Sequence, residues 1–237
     1  MQQPNPYQPP QSLDTPPLSA GEYDYRNPNS FSRWVKLAAW GYFVAELLNS
    51  LNSVLGWRFA TQAEAGLFDD ETWTAQADIL DNITAVAGAV QIVFFVVSGI
   101  LILVWINRAN KNARALRAPD ITITPGWAVG WYFVPLMNLF RPFQAMKEIW
   151  YGSLALINDR RRNENGLLNI WWWTWLLSNM VANAATRQSA DTLHSFKMMH
   201  GLFTASSLLS MACTVALLKI ITAINQAQTE SAQQAAQ

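Results

Sequence analysis

Few side chains in this sequence are of a type and spacing that could do chemistry. Glu46 is the first. It is the only acid in the apolar stretch 34–55. At about 100° per residue it shares a helical stripe with Tyr42, Asn49 and Ser53, while Val44, Leu47, Leu48, Leu51 and Leu55 fall on the other side. An ionisable group at the middle of a bilayer helix costs about 2.5–3.5 kcal/mol on insertion scales, which makes it a candidate functional group. Asn179 and Asn183 stand four residues apart in the apolar stretch 168–186. Glu46, Asn49 and Asn179 therefore form the candidate intramembrane polar site. The expected contact is a hydrogen bond from Asn179 to Glu46, as a clamp between helices. The sharper alternative is a proton or cation relay.

The second constellation lies between residues 105 and 150. Pro125, Gly126, Gly130 and Pro135 interrupt an otherwise uncharged apolar stretch, 121–140, and free backbone groups that survive at membrane depth only against protein or water. Asn138 is placed to satisfy such groups beside Pro135. Arg108, Arg114 and Arg141 flank the stretch, and guanidinium groups at a headgroup plane can hold phosphate bidentately. Arg108, Arg114, Trp127, Pro135, Asn138 and Arg141 are thus the candidate lipid-headgroup site. The favoured reading of the segment is a structural hairpin whose arginines only follow the charge rule for cytoplasmic loops, with the lipid or ligand site as its alternative.

Other chemistry has little to stand on. His194 and His200 are six residues apart with no Cys or acid at ligand spacing. Cys213 is the single cysteine. No phosphate-binding loop, nucleophile elbow or zinc-protease motif occurs. The expectation is no enzyme, no metal and no cofactor.

The elements that must position these residues follow from composition. Of 237 residues, 51% are hydrophobic and 14% charged, against about 25% charged in an ordinary globular chain. About 20 apolar residues cross a bilayer. Four stretches qualify: 34–55, 83–106, 168–186 and 201–224. Ser178, Ala182 and Thr186, then Ser206, Ser210 and Thr214, repeat at four-residue spacing and let the last two helices approach closely. The predicted fold is all-α, four transmembrane helices plus a Pro/Gly-broken re-entrant or interfacial hairpin between the second and third. A helix starting near Pro142 puts Phe143, Met146, Ile149 and Trp150 on one side, an interfacial pattern. Trp34, Trp40, Trp105 and the cluster Trp171, Trp172, Trp173 and Trp175 suit headgroup belts.

Sixteen basic and sixteen acidic residues cancel, which leaves no net field for nucleic acid. Their distribution is uneven. Glu64, Asp69, Asp70, Glu71, Asp78 and Asp81 lie between the first two spans, and Arg108, Lys111, Arg114, Arg117, Arg141, Lys147, Arg160, Arg161 and Arg162 between the second and third. The positive-inside rule then puts the basic connection and both termini in the cytoplasm. Residues 1–30 are expected to be a disordered Pro/Gln-rich tail, 31–225 the helical transmembrane domain, and 226–237 a polar C-terminal tail.

Two segments carry a family likeness. The W-x-x-R-x-x-x-N-A-R-x-L pattern at 105–116 and the T-P-G-W-A-V-G-W-x-F-x-P-x-x-N-L-x-R-P pattern at 124–142, with M-K-E-I-W at 146–150, resemble the bacterial membrane family known as domain of unknown function 4328. The resemblance implies a multi-pass membrane protein, of the inner membrane in this orientation, and assigns no activity and no catalytic residue. The expected role is a structural, lipid-sensing or partner-binding membrane module, touching the bilayer, anionic headgroups and a protein partner or second copy. The runner-up is a small transporter or channel with Glu46 in a polar path.

Overall fold

Long uninterrupted runs of helix-compatible residues produce long helices, and punctuation ends them. The computed structural model describes residues 23–188 and 191–237. It consists of α1 (Asn29–Glu64), α2 (Asp70–Ala115), α3 (Pro125–Gly130), α4 (Arg141–Ala155), α5 (Gly166–Thr186) and α6 (Leu193–Ala235), with short 3-10 turns between α3 and α4 and between α4 and α5. Among the described residues there is no strand. Asp69 opens α2 with a capping box: its carboxylate accepts from Thr72 N at 2.8 Å, and its own N–H donates to Thr72 Oγ1 at 3.1 Å. Thr192 and Ser195 do the same for α6. Pro125 and Pro142 sit in first turns, where the missing N–H costs nothing.

The four long helices stand in a row, α2–α1–α6–α5, with α1 and α6 inside it and the shorter α4 packed under one end. Two of them, α2 from Glu71 and α6, are long and apolar enough to cross a membrane. The 46 residues of α2 extend about 69 Å at 1.5 Å per residue. The acidic connection after α1 is therefore largely the first turns of α2, with a loop of only a few residues.

Charge divides the row into two ends. The basic end gathers the start of α1 and α5, the finish of α2 and α6, and all of α4. The main apolar core lies there: Trp105, Ile106, Met146, Ile149, Trp150, Leu154, Leu168, Ile220, Ile221 and Ile224 are buried together. The face of α4 with Phe143, Met146, Ile149 and Trp150 faces this core, which corrects the interfacial reading. Its apolar stripe is covered by α6 and α2.

Two further expectations change, both at the ends of the chain. Residues 226–237 are no separate tail, because α6 runs to Ala235 and buries Ala227 and Gln228 completely. Gln228 Nε2 donates to the Ala109 carbonyl at 2.9 Å and to Ser153 Oγ at 3.0 Å. The leading segment becomes ordered before residue 31: α1 begins at Asn29, and the residues just ahead of it dock on α2. The expected disorder of 1–22 lies outside the described residues. Within 121–140 the longest helix is the six residues of α3, about 9 Å of rise against the roughly 30 Å of a hydrocarbon core. The stretch folds as α3 followed by two 3-10 turns, Trp131–Phe133 and Met137–Leu139, and Leu136 between them takes a φ of 64°.

Candidate functional site

The stripe on α1 is buried as its spacing requires. Ala45, Glu46, Ser50, Asn52, Ser53 and Gly56 face inward, while Val44, Leu47, Leu48, Leu51 and Leu55 stay exposed. Glu46 is 2% exposed, and its Oε1 accepts from Gln91 Nε2 of α2 at 2.8 Å. The Tyr42 phenol interacts with both the Glu46 carboxyl and the Ser210 hydroxyl of α6. Glu46 thus ties α1 to α2, and Tyr42 beside it reaches α6. The expected partner is not the one found. Asn179 is exposed on α5 and donates to the Trp175 carbonyl of its own helix at 2.7 Å. The reason is the helix order: α6 stands between α1 and α5.

Below Glu46 the seam between α1 and α2 continues. Asn49 Nδ2 donates to the Ala45 carbonyl at 3.0 Å and reaches the Ala87 carbonyl of α2 at 3.4 Å. Asn52 Nδ2 donates to Thr84 Oγ1 at 2.9 Å. Residues 84, 87 and 91 of α2 thus meet residues 52, 49 and 46 of α1 turn by turn. Between α5 and α6 the small-residue pattern does its expected job, for Ser206 Oγ donates to the Ser178 carbonyl at 3.0 Å.

At the basic end the arginines divide their work. Arg114 turns inward: Nε donates to Asn110 Oδ1 at 3.1 Å, and Nη2 to the Thr122 and Ile123 carbonyls at 3.2 and 3.0 Å. Asn107 and Asn110 hold the Pro125 and Ile123 carbonyls, each at 2.9 Å. From the opposite side, Glu148 of α4 accepts from Thr122 N, Thr122 Oγ1 and Ile123 N at 2.9, 2.6 and 2.8 Å. The strap 122–125 is clamped between two helices, so Arg114 is spent on backbone rather than offered to a headgroup.

Arg141 is exposed, 5.5 Å above the Trp131 ring, which stacks on Trp127 at 4.4 Å. Trp127, Phe133, Leu136 and Phe140 make this knuckle an exposed apolar surface. Pro135 is exposed on it too. The freed backbone there is satisfied by the turns themselves, Met137 N on Pro135 O at 2.8 Å and Asn138 N on Val134 O at 3.0 Å, a role expected of the Asn138 side chain.

Arg108 belongs elsewhere. It lines a cavity of about 450 Å³ with Arg26, Lys111, Asn107, Asn112 and Asp24, walled by Tyr23, Phe31 and Val104. The segment before α1 forms its far side. Asn112 clasps it, accepting from Arg26 N at 3.0 Å and donating to Arg26 O at 2.8 Å. Arg108 Nη2 donates to the Asn27 carbonyl at 3.1 Å. The candidate headgroup set is thereby split three ways: Arg108 in a cavity, Arg114 in a clamp, and Trp127 and Arg141 on the knuckle. Gln91, Ser210, Arg26 and Lys111 were missed. An uncharged Gln inside an apolar span is the one signal that pointed to the first of them.

The architecture defines an all-helical protein with two helices of membrane-spanning length and a clamped basic end. Residues 69–226, two thirds of the chain, match the family described as domain of unknown function (DUF4328), and the chain belongs to that family. No curated protein and no solved structure matches it. The clamp gives its sequence pattern a physical meaning. Trp105 Nε1 donates to Asn225 Oδ1 of α6 at 3.0 Å; Arg108 and Asn112 fasten the segment before α1, and Arg114 and Glu148 fasten the strap 122–125 from its two sides.

Proposed function

We propose that this is a four-pass membrane protein with α1, α2, α5 and α6 as its spans, the basic end and both termini in the cytoplasm, and a non-catalytic role as a structural, lipid-sensing or partner-binding module. The observation that carries the reading is the inversion of polarity along α1 and α2. Their polar residues, Glu46, Asn52 and Ser98 among them, are buried, while Trp34, Leu51, Val86, Val93 and Phe95 are all more than half exposed. Contiguous apolar surface of that extent on a soluble monomer would be an aggregation liability; against acyl chains it is the ordinary solvent-facing surface. The bacterial inner membrane is the location this orientation fits.

Cysteine accessibility tests it. Gln76→Cys in the acidic end is expected to react with an impermeant maleimide on intact cells, and Asn163→Cys in the basic end only after lysis. Labelling of Asn163→Cys from outside would overturn the topology. A second reading, a small transporter or channel, is favoured by the burial of Glu46 beside Tyr42 and Gln91. Glu46→Gln keeps the shape and removes the ionisable proton; unchanged proton flux in vesicles would end that reading.

A further inference from the structure

The cavity at Arg108 has a composition that the clamp does not explain. Arg108 and Lys111 are three residues apart on α2 and therefore neighbours on one face, and Arg26 comes to them from the segment before α1. Asp24 is the single carboxylate in the lining. None of the three cations takes part in either of the ion pairs formed among the described residues, Arg161–Asp159 and Lys197–Glu64. Arg108 Nε is buried without a hydrogen-bond partner. Its guanidinium lies 5.7 Å over the Phe31 ring, and the Lys111 ammonium lies 5.8 Å over the Tyr23 ring. A buried donor left unpaired costs free energy that an oxygen ligand would recover.

One wall of this cavity continues along the bilayer-facing side of α2. Val86, Val90, Val93, Val97, Ile100 and Val104 are exposed and follow one another at alternating four- and three-residue spacing. They make a straight apolar track that ends at Val104, inside the lining. From Val93 to Val104 the track measures about 16 Å along the helix, close to half of a roughly 30 Å hydrocarbon core. One leaflet of acyl chain fits it.

We propose that the Arg26–Arg108–Lys111 cavity binds the phosphate of an anionic glycerophospholipid, with an acyl chain laid on the Val93–Val104 track. The inference rests on the four-pass reading, which puts the cavity at the cytoplasmic headgroup plane. Three cations against one carboxylate select a net negative headgroup over a zwitterionic one, and guanidinium suits phosphate oxygens bidentately. The site includes the leading segment, so an occupied cavity also holds the start of α1 against the end of α2.

Native mass spectrometry of the detergent-purified full chain tests it, with phosphatidylglycerol and phosphatidylcholine as probes and inorganic phosphate and glycerol 3-phosphate as competitors. Phosphatidylglycerol is expected to bind at least five-fold more tightly than phosphatidylcholine. Lys111→Gln and Arg108→Gln should each weaken it about five-fold, the worth of one basic residue near a headgroup plane. Lys219→Gln, exposed on α6 and outside the cavity, should leave it unchanged, and Asp24→Asn should tighten it. Since Arg108 also holds Asn27, the exposed Lys111 decides if Arg108→Gln does not fold. Equal affinity for the two lipids, or an equal loss in Lys219→Gln, overturns the site. Competition by inorganic phosphate at the affinity of the lipid supports the phosphate site and assigns it a soluble source. A chain that purifies without detergent overturns the membrane reading, and the phosphate arm still decides the cavity; a detergent-dependent chain with no headgroup preference overturns the cavity alone.

Discussion

At the basic end, Trp105, Met146, Ile149 and Ile220 are at most 1% exposed and interdigitate from helices that arrive from several directions. Further along the same α2, between residues 83 and 100, side chains alternate between the narrow contact with α1 and open apolar surface, and only Ser98 is fully buried. The first region is packed like the interior of a water-soluble domain, and its polar groups are paired in part: Trp105 Nε1 on Asn225 and Gln228 Nε2 on Ala109, while Trp150 Nε1, Asn225 Nδ2 and Gln228 Oε1 have no partner. The second is held by a ladder of side-chain hydrogen bonds, Glu46–Gln91, Asn49–Ala87 and Asn52–Thr84. On the proposed four-pass reading the second region lies in hydrocarbon, where apolar contact between helices gains little over contact with lipid, so packing and hydrogen bonds carry association. At the basic end helices and loops must also exclude water, and the hydrophobic term returns. The two regions differ in what drives them together, and that difference can be broken experimentally.

The largest effect is expected from the core of the basic end. Trp150→Ala, at a side chain only 2% exposed, should cost about 3–5 kcal/mol, the range for truncating a buried Trp. Leu51→Ala on the exposed face of α1, 55% exposed, should change stability by no more than about 0.5 kcal/mol. Thermal unfolding in mild detergent, followed by circular dichroism, measures both. Similar shifts for the two would mean that the contrast between the regions is illusory.

Next comes the clamp. Glu148→Ala removes one acceptor group that serves three donors, each hydrogen bond to a charged group being worth about 1.5–3 kcal/mol. The expected loss is at the lower end of that range, because Thr122 is exposed and water replaces part of what is lost. Limited proteolysis should find new cleavage at Arg117 before any in α5. Protection equal to that of the parent would show that Arg114 and the α2 asparagines hold the strap alone.

The seam should respond more weakly. Gln91→Leu and Glu46→Leu, combined in a double-mutant cycle, are expected to show a coupling of about 0.6 kcal/mol, with about 1.7 as the ceiling for such bonds inside a bilayer. A coupling well above that ceiling would mean that the region around Glu46 is dry and packed like the basic end.

The same contrast explains what the sequence made legible. The two long apolar helices, α2 and α6, announce themselves by composition, and the inward stripe of α1 follows from the 100° periodicity around Glu46. Partners depend on helix order, which periodicity does not encode: Asn179 has a fitting depth and type, yet α6 intervenes. Gln228 was hidden by the reverse problem. Its neighbours are Gln, Ala and Thr, a solvated composition, although Ile220, Ile221, Ile224 and Ala227 carry the buried phase of α6 straight to it. Arg114 and Arg108 look alike as juxtamembrane cations. Only the path of the 116–125 loop and of the segment before α1 decides which one is consumed by backbone carbonyls and which one faces a cavity.

The smallest expected effect concerns the connection between α4 and α5, at the rim of the basic end. There Asp159 accepts from Arg161 N at 2.8 Å and from Arg161 Nε at 2.9 Å. Side-chain and backbone hydrogen bonds from Arg161 hold the Asp159 carboxyl below its ordinary value of 3.8. A depressed folded-state pKa contributes stability above the unfolded value and loses it as pH falls through the folded one. The contribution is therefore complete at pH 7 and fades below about pH 4, where unfolded aspartates protonate. Exposure and salt reduce a surface pair to a small term. Asp159→Asn should lower the thermal midpoint slightly at pH 7, and the gap to the parent should narrow as pH falls below about 4. A gap that acidification leaves unchanged would show that the carboxylate charge is immaterial and that side-chain shape alone sets the turn.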